Sequence, residues 1–152
     1  MTVRARVIAL GQAAAGDDGV GFAVLEALRQ RGTPEGVELL QAADASAIIS
    51  LLETSAPVVL VDAALGPPPG DVLELSPDEL SDQGLHPVSS HGMGLAQAVE
   101  LAAVLAPERV SRSIRVVAVA IARPDRYRHG LSPAIAAAVP RAAERVLALI
   151  GG

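Results

Sequence analysis

The chain contains no cysteine, no lysine and no tryptophan, and it has only one phenylalanine and one tyrosine. The absence of cysteine excludes disulfides, thiolate-bound zinc and thiol nucleophiles. The absence of lysine excludes Schiff-base chemistry and a P-loop, because both depend on a lysine ammonium group. With so few aromatic side chains, the core must be built from aliphatic residues, which suits a parallel sheet covered by helices.

Length, charge and hydropathy narrow the class of protein further. The 152 residues are 51% hydrophobic and carry a formal net charge of −5, so one domain spanning residues 1–152 is expected. An acidic chain without a basic face is a poor partner for nucleic acid or an anionic membrane. The uncharged apolar run at 116–122 is far shorter than the roughly 20 residues of a membrane span, and the N-terminus does not resemble a signal peptide. We therefore expect a soluble cytoplasmic protein.

Apolar runs alternate with segments of helical periodicity along the chain, which predicts an α/β sandwich with a mostly parallel sheet. Ser132 and Pro133 form an N-cap and a first-turn proline before the last helix, and Pro140 should kink or divide that helix. A turn is predicted at 66–70 and a loop at 76–90. The predicted strands are 7–10, 37–40, 58–62, 71–75 and 114–122, and the predicted helices are 18–31, 45–53, 92–105 and 134–150.

A glycine-rich segment at 11–21 follows the first apolar run and contains Asp17 and Asp18. Glycines at a strand-to-helix turn usually let backbone N–H groups approach a phosphate. Here two carboxylates stand where a phosphate loop has lysine and serine or threonine. Carboxylates repel anions, so this turn favours a metal ion or another cationic group.

Three polar groups fall at predicted strand ends, where ligands bind in open α/β sheets. Asp18 follows the first strand, Asp62 closes the central strand, and His91 opens a helix after Ser89-Ser90. Two carboxylates and an imidazole suit a divalent metal such as zinc, nickel or iron.

Each of these residues also has an ordinary structural explanation. Either aspartate of the glycine-rich segment could cap a helix, Asp62 could form a turn, and His91 could be a cap or a surface residue. His86 and His129 lie in polar segments and are expected to be exposed. A Gly-x-Ser-x-Gly nucleophile elbow does not occur in the sequence. Spacing alone leaves the choice between a metal site and these alternatives open.

Four blocks in a fixed order resemble the hydrogenase maturation protease family. Together they span nearly the whole chain, and the combination of the first and third is the most specific. They are Leu10-Gly11 with Gly16-Asp17-Asp18-Gly19-Val20-Gly21, then 59–63 with Gly66 and Pro69-Gly70, then Ser90-His91-Gly92-Met93-Gly94-Leu95-Ala96, and finally Gly130-Leu131-Ser132-Pro133.

The resemblance implies an endopeptidase that removes the C-terminal extension of a [NiFe]-hydrogenase large-subunit precursor. The family's metal-contacting residues fall on Asp18, Asp62 and His91, which would ligate nickel already lodged in the substrate and position the scissile bond. Nickel would thus be supplied by the substrate, and zinc or cadmium could substitute in vitro. Either a metal-polarised carbonyl or an activated water would be the chemical means.

The resemblance also implies a fold: a three-layer α/β/α sandwich on a five-stranded, mostly parallel sheet whose fourth strand, near 72–75, runs antiparallel. We further expect a monomer.

The sequence departs from the family pattern at two places. Gln12 stands where asparagine is usual, and 41–46 (Gln-Ala-Ala-Asp-Ala-Ser) replaces an acidic residue, two glycines and threonine or serine. Ala42 and Ala43 would narrow a substrate groove, and Asp44 would add a carboxylate beside the site. This departure motivates an alternative function, a non-cleaving, metal-dependent binding protein or chaperone for a metallated hydrogenase-type partner. A nucleotide-binding domain is a third alternative, which the acidic turn opposes.

Overall fold

The secondary structure alternates between strands and helices from end to end. A computed structural model describes residues 2–11, 16–82, 86–87, 94–123 and 130–151. The strands are β1 (Ala5–Leu10), β2 (Val37–Ala42), β3 (Val58–Leu65), β4 (Val72–Leu75), β5 (His86–Pro87) and β6 (Ile114–Ala120). The helices are α1 (Val20–Arg31), α2 (Ile48–Leu51), α3 (Glu79–Asp82), α4 (Leu95–Leu105) and α5 (Pro133–Leu149), with 3₁₀ turns at Gly16–Gly19 and Ala45–Ala47.

The sheet has the strand order β2-β1-β3-β6-β4. The first four of these strands are parallel, and β4 pairs with β6 in the antiparallel direction. This confirms the predicted five-stranded sheet with an antiparallel fourth strand. The two-residue β5 adds a short antiparallel pairing at the end of β3, where Leu65 lies opposite His86.

Helices cover both faces of the sheet and produce three layers. Alternate β3 residues point to opposite faces: Val59, Val61 and Ala63 pack with α1 and α5, whereas Leu60 and Ala64 pack with α2 and α4. Both cores are made of aliphatic side chains, as the composition requires. The three-layer prediction is therefore confirmed.

Several predicted elements were wrong in their extent or content. β3 continues to Leu65 because its pairing with β6 extends to Ala64 opposite Ala120. The predicted helix at 45–53 is reduced to a 3₁₀ turn and the four-residue α2. The predicted loop at 76–90 contains α3 and β5.

Pro140 lies inside α5, which continues unbroken to Leu149. Of the two predicted effects of this proline, a kink or a division, division is therefore wrong. A proline in a helix interior costs about 3 kcal/mol through its missing N–H and its steric clash. Fully buried residues lie on both sides of it, including Ile135 and Ala138 before and Ala142 after. Their packing against the sheet offsets the cost.

Gly21, in the first turn of α1, allows this helix to lie directly against the sheet. A Cβ atom at this position would lie 2.8 Å from the carbonyl oxygen of Leu10, 3.1 Å from that of Val61 and 3.3 Å from Cβ of Ala9. Two of these atoms belong to the backbone of β1 and β3 and cannot rotate away. The glycine therefore sets the distance between α1 and the two central strands.

We expect Gly21→Ala to lower the free energy of unfolding by about 1–3 kcal/mol, because the added methyl group forces α1 away from the sheet. Urea denaturation measures this loss. Gly94→Ala is the matched control, since the nearest atom to its added Cβ is the side-chain oxygen of Gln97 at 3.8 Å. That control should cost less than about 1 kcal/mol. Equal stability of Gly21→Ala and the wild type would contradict the close packing.

Candidate functional site

The candidate site lies where β1 and β3 separate. β1 leads through α1 to β2 on one side, whereas the chain after β3 leads through α4 to β6 on the other. Connections that depart in opposite directions from neighbouring parallel strands leave a crevice beyond their carboxyl ends. The pairing of β1 with β3 ends at Ala9 opposite Val61. Asp62 is the next residue of β3.

Asp62 was predicted to close its strand, but it lies within β3. Strand alternation places its side chain on the face that Leu60 and Ala64 share with α2 and α4. Asp62 is half-buried, and its Oδ1 accepts a hydrogen bond of 2.8 Å from the backbone N–H of Ala63. A turn-forming role for this carboxylate is excluded by its position in a continuous strand.

Burial is the main cause that raises the pKa of Asp62 to about 7. The hydrogen bond from Ala63 acts in the opposite direction, and the negative charge of Asp18 adds to the effect of burial. Removal from water disfavours the charged carboxylate, and a neighbouring negative charge disfavours it again. Asp62 is therefore close to half-protonated near neutral pH. Strongly perturbed carboxyl groups of this kind are concentrated at functional sites.

Asp18 lies in the 3₁₀ turn Gly16–Gly19, which follows β1 and packs against β3. Its backbone oxygen lies against Gly11, where an added Cβ would overlap it, and Gly11 has a φ of 140°. Such a φ is accessible to glycine and costly for other residues. The turn is thereby held against the end of β1. Since the charge of Asp18 also acts on Asp62, the structure brings these two predicted site residues together.

Asp17 is adjacent in sequence to Asp18 but makes a different contact. Its Oδ1 accepts a 2.7 Å hydrogen bond from the backbone N–H of Ser132, and its Oδ2 accepts a 2.8 Å bond from the Ser132 hydroxyl. Ser132 is the N-cap of α5, as predicted, but its side chain makes no capping bond to that helix. The hydroxyl donates its hydrogen bond to Asp17 instead. Sequence reasoning missed this contact between the first and last family blocks.

His91, the third predicted site residue, lies outside the described residues. The described chain resumes at Gly94, whose backbone N–H donates a 3.0 Å hydrogen bond to Oε1 of Gln97 at the start of α4. Leu95, the first residue of α4, packs in the same cluster as Leu60 and Ala64. These two residues flank Asp62 on its face of β3. His129 is also outside the described residues, and of His86 only the backbone is described.

The described carboxylates do not by themselves form a metal centre. Within residues 2–11, 16–82, 86–87, 94–123 and 130–151, no group of three or more histidine, cysteine, aspartate or glutamate side chains is arranged to hold a metal ion. Asp18 and Asp62 are only two such side chains, and His91 is not among the residues searched. The metal-binding set therefore remains a prediction.

The segment that departs from the family pattern lies beside β1. Ala42 ends β2 opposite Leu10 and is buried. Asp44 is exposed, and its Oδ1 accepts hydrogen bonds of 2.6 Å from the Ser46 hydroxyl and 3.1 Å from the Ala47 N–H. These two bonds lower the pKa of Asp44. Its carboxylate thus caps the 3₁₀ turn Ala45–Ala47 and is satisfied locally.

Among the described residues, none of the helices is both long enough and apolar enough to cross a bilayer.

Solved structures share this fold over almost the whole chain. The hydrogenase maturating endopeptidase HybD from E. coli is 25% identical, with 97% of this chain and 91% of that chain covered and a TM-score of 0.78. An endopeptidase from Escherichia coli, solved in solution, is 26% identical, with 95% and 90% covered and a TM-score of 0.71. The [NiFe] hydrogenase maturation protease HybD from Thermococcus kodakarensis is 22% identical, with 97% and 99% covered and a TM-score of 0.74.

Sequence comparison gives the family directly. No curated protein sequence matches the chain significantly. The sequence model of the hydrogenase maturation protease family, HycI, matches residues 22–149, which is most of the chain and includes Asp62. The chain therefore belongs to the hydrogenase maturation protease family, whose members are peptide-bond hydrolases.

Proposed function

We propose that this protein is an endopeptidase that removes the C-terminal extension from a [NiFe]-hydrogenase large-subunit precursor after nickel insertion. Membership of the maturation protease family supports a peptidase acting on a hydrogenase precursor. The observation that carries the proposal for the site is the pairing of Asp18 with Asp62 at the crevice between β1 and β3. We further propose that the protein acts in the cytoplasm as a monomer.

In this proposal, Asp18, Asp62 and His91 contact the nickel ion of the precursor. Nickel belongs to the substrate and enters the site with it. The raised pKa of Asp62 reflects first its burial and, to a smaller extent, the negative charge of Asp18, since two nearby carboxylates repel each other when both are charged. A divalent cation between them would remove the repulsion and favour release of the Asp62 proton. The site is thus built to bind a cation and opposes an anionic ligand such as a nucleotide phosphate.

Nickel recognition would also place the scissile bond. The ion is fixed within the folded precursor, so contact with Asp18 and Asp62 would hold the flanking chain at the carboxyl end of β3. Proximity of this kind supplies a large part of the rate enhancement in enzymes. Cleavage then proceeds through a carbonyl polarised by the metal or a water activated beside it. Before the substrate binds, Asp62, with a pKa of about 7, holds its proton part of the time, and contact with the ion would release that proton.

The alternative function, binding without cleavage, rests on the altered segment 41–46. The structure accommodates this segment by burying Ala42 and by using Asp44 as a local cap. Neither adjustment removes Asp18 or Asp62 from the crevice. Endopeptidase activity is therefore the function that the arrangement supports best, and a stable complex with an uncut precursor is the outcome that would favour the alternative.

Asp18→Asn and His91→Ala should each abolish cleavage of a nickel-loaded precursor, because each removes one of three proposed contacts with the ion. Mass spectrometry of the precursor over time measures the release of its C-terminal peptide. Asp78→Asn is the control for the loss of one negative charge. Asp78 is exposed and follows β4, whose last residue, Leu75, pairs with Val116 near the amino end of β6, away from the carboxyl ends of the parallel strands. It should cleave like the wild type. Full activity in Asp18→Asn would contradict the proposed role.

The raised pKa of Asp62 predicts a dependence of stability on pH. The carboxyl group titrates at about 7 in the folded protein and near 3.8 when unperturbed. Between these values the unfolded chain has released the proton that the folded chain still holds. Stability is therefore lost as the pH rises from about 4 to about 7, by a few kcal/mol at roughly 1.4 kcal/mol per pKa unit.

Asp62→Asn should remove this dependence, because the amide oxygen can still accept the Ala63 hydrogen bond but does not titrate. We expect the variant to gain stability relative to the wild type at pH 8, and to gain much less at pH 4. Urea denaturation at several pH values measures the difference. Asp78→Asn should follow the wild-type profile. Parallel profiles for Asp62→Asn and the wild type would show that Asp62 titrates normally.

A further inference from the structure

The contact between Asp17 and Ser132 joins two segments that are 115 residues apart in sequence. Both oxygens of the carboxylate are used, one by the backbone N–H of Ser132 and one by its hydroxyl. A contact with two separate hydrogen bonds fixes orientation as well as distance. It therefore restrains the rotation of the 3₁₀ turn relative to α5.

The α5 side of this contact is rigid. The first helical bond of α5 runs from the N–H of Ala136 to the carbonyl of Ser132, at 2.8 Å. Ile135, in the first turn of the helix, is fully buried. Together with Ala138, it packs in the same core as residues of β1, β3 and β6. The negative charge of Asp17 also lies at the positive end of the helix dipole. α5 is thus an anchor to which the turn is tied.

The other side of the turn carries Asp18. Successive residues of a 3₁₀ helix are about 120° apart around its axis, since it has three residues per turn. Because the Asp17 side chain is bound to Ser132 at the start of α5, the Asp18 side chain leaves the turn in a different direction. The charge of Asp18 acts on Asp62. Gly11 restrains the backbone of Asp18 from the side of β1. Together with the Asp17 contact, this restrains the turn on two sides, by α5 and by the end of β1.

We propose that Asp17 and Ser132 form a positioning pair that holds the Asp18 carboxylate in its orientation toward Asp62. The inference rests on the proposed function, because the purpose of this orientation is contact with the substrate's nickel. Neither member of the pair touches the ion. A capping role for the Ser132 side chain is ruled out, since the hydroxyl makes no bond to its own helix.

Substitutions can separate positioning from simple stabilisation. Ser132→Ala keeps the backbone donor but removes the hydroxyl donor. Ser132→Thr keeps both donors. Asp17→Asn keeps the shape of the side chain but leaves one acceptor oxygen for two donors. Ser50→Ala is the control, because Ser50 is an exposed serine of α2 on the other side of the sheet.

For cleavage of the nickel-loaded precursor, we expect Asp17→Asn and Ser132→Ala each to lower kcat about tenfold or more. KM should rise by a smaller factor than kcat falls, because the nickel ion would be only one of the contacts made by a whole precursor. Ser132→Thr should recover most of the lost kcat, and Ser50→Ala should match the wild type. The double variant Asp17→Asn/Ser132→Ala should be little worse than either single one, as for two residues that act as a pair.

A second readout does not use activity. Calorimetric titration of the wild type and of Asp17→Asn with Ni²⁺ alone should show weaker binding by the variant, by about the same factor as the loss in kcat.

Several outcomes would overturn the inference. Wild-type kcat in Ser132→Ala, with only the midpoint of thermal unfolding lowered, would show that the contact stabilises the fold and nothing more. Loss of kcat in Ser132→Thr equal to that in Ser132→Ala would show that the hydroxyl is not the cause. A wild-type protein that cuts no metallated precursor would instead refute the proposed function. In that case, weaker Ni²⁺ binding by Asp17→Asn than by the wild type would still support the positioning pair. Equal binding by the two proteins, or no binding by either, would refute it.

Discussion

The burial of the Asp62 carboxyl group at the crevice of the sheet, within the influence of the charge of Asp18, is the constraint on which the site depends. β1 and β3 lie side by side up to Ala9 and Val61 and then separate, so the residues that follow enter the same space. Asp18 and Asp62 are held there at a cost, because burial and like charge both disfavour ionisation of Asp62. Protonation of Asp62 relieves that cost in the free protein. A cation would relieve it when substrate is bound.

The surrounding packing restrains the backbone on both sides of the crevice. Gly21 lets α1 lie on the backbone of both central strands, and the missing side chain of Gly11 leaves room for the backbone oxygen of Asp18. At each position a methyl group would occupy space that the neighbouring backbone already fills. Hydrogen bonds from Ser132 to Asp17 tie the same turn to α5. A turn without regular strand pairing is thus held by α5, α1 and the end of β1.

Much of the fold follows from local sequence because its core is aliphatic and its strands are short apolar runs. Such runs separated by helical periodicity leave few alternatives to a parallel sheet with helices on both faces. The end of β3 was mispredicted because Asp62 interrupts the apolar pattern. Pairing with β6, which carries the strand on to Leu65, is not visible in local sequence. The helix at 45–53 was overestimated, since Asp44 caps a 3₁₀ turn at Ala45–Ala47 and the α-helical part is only Ile48–Leu51.

The site was predictable in part, for a similar physical reason. Strand ends of a parallel sheet meet at one edge, so Asp18 and Asp62 could be expected together. The resemblance assigned the metal contact to Asp18, but the role of Asp17 could not be derived from the local sequence. The two residues are adjacent and chemically identical, and the contact of Asp17 with a serine 115 residues away becomes visible only in the structure. His91 lies outside the described residues, and its role remains a prediction from the resemblance.

The most direct test of this account compares one precursor with and without nickel. The wild-type protein is incubated with each form of the hydrogenase large-subunit precursor, and intact-mass spectrometry records the C-terminus of the product. The account predicts that a C-terminal peptide is released from the nickel-loaded form and that the nickel-free form stays intact. Equal cleavage of both forms would contradict nickel recognition by Asp18 and Asp62, and a stable complex with the loaded precursor left uncut would contradict proteolysis.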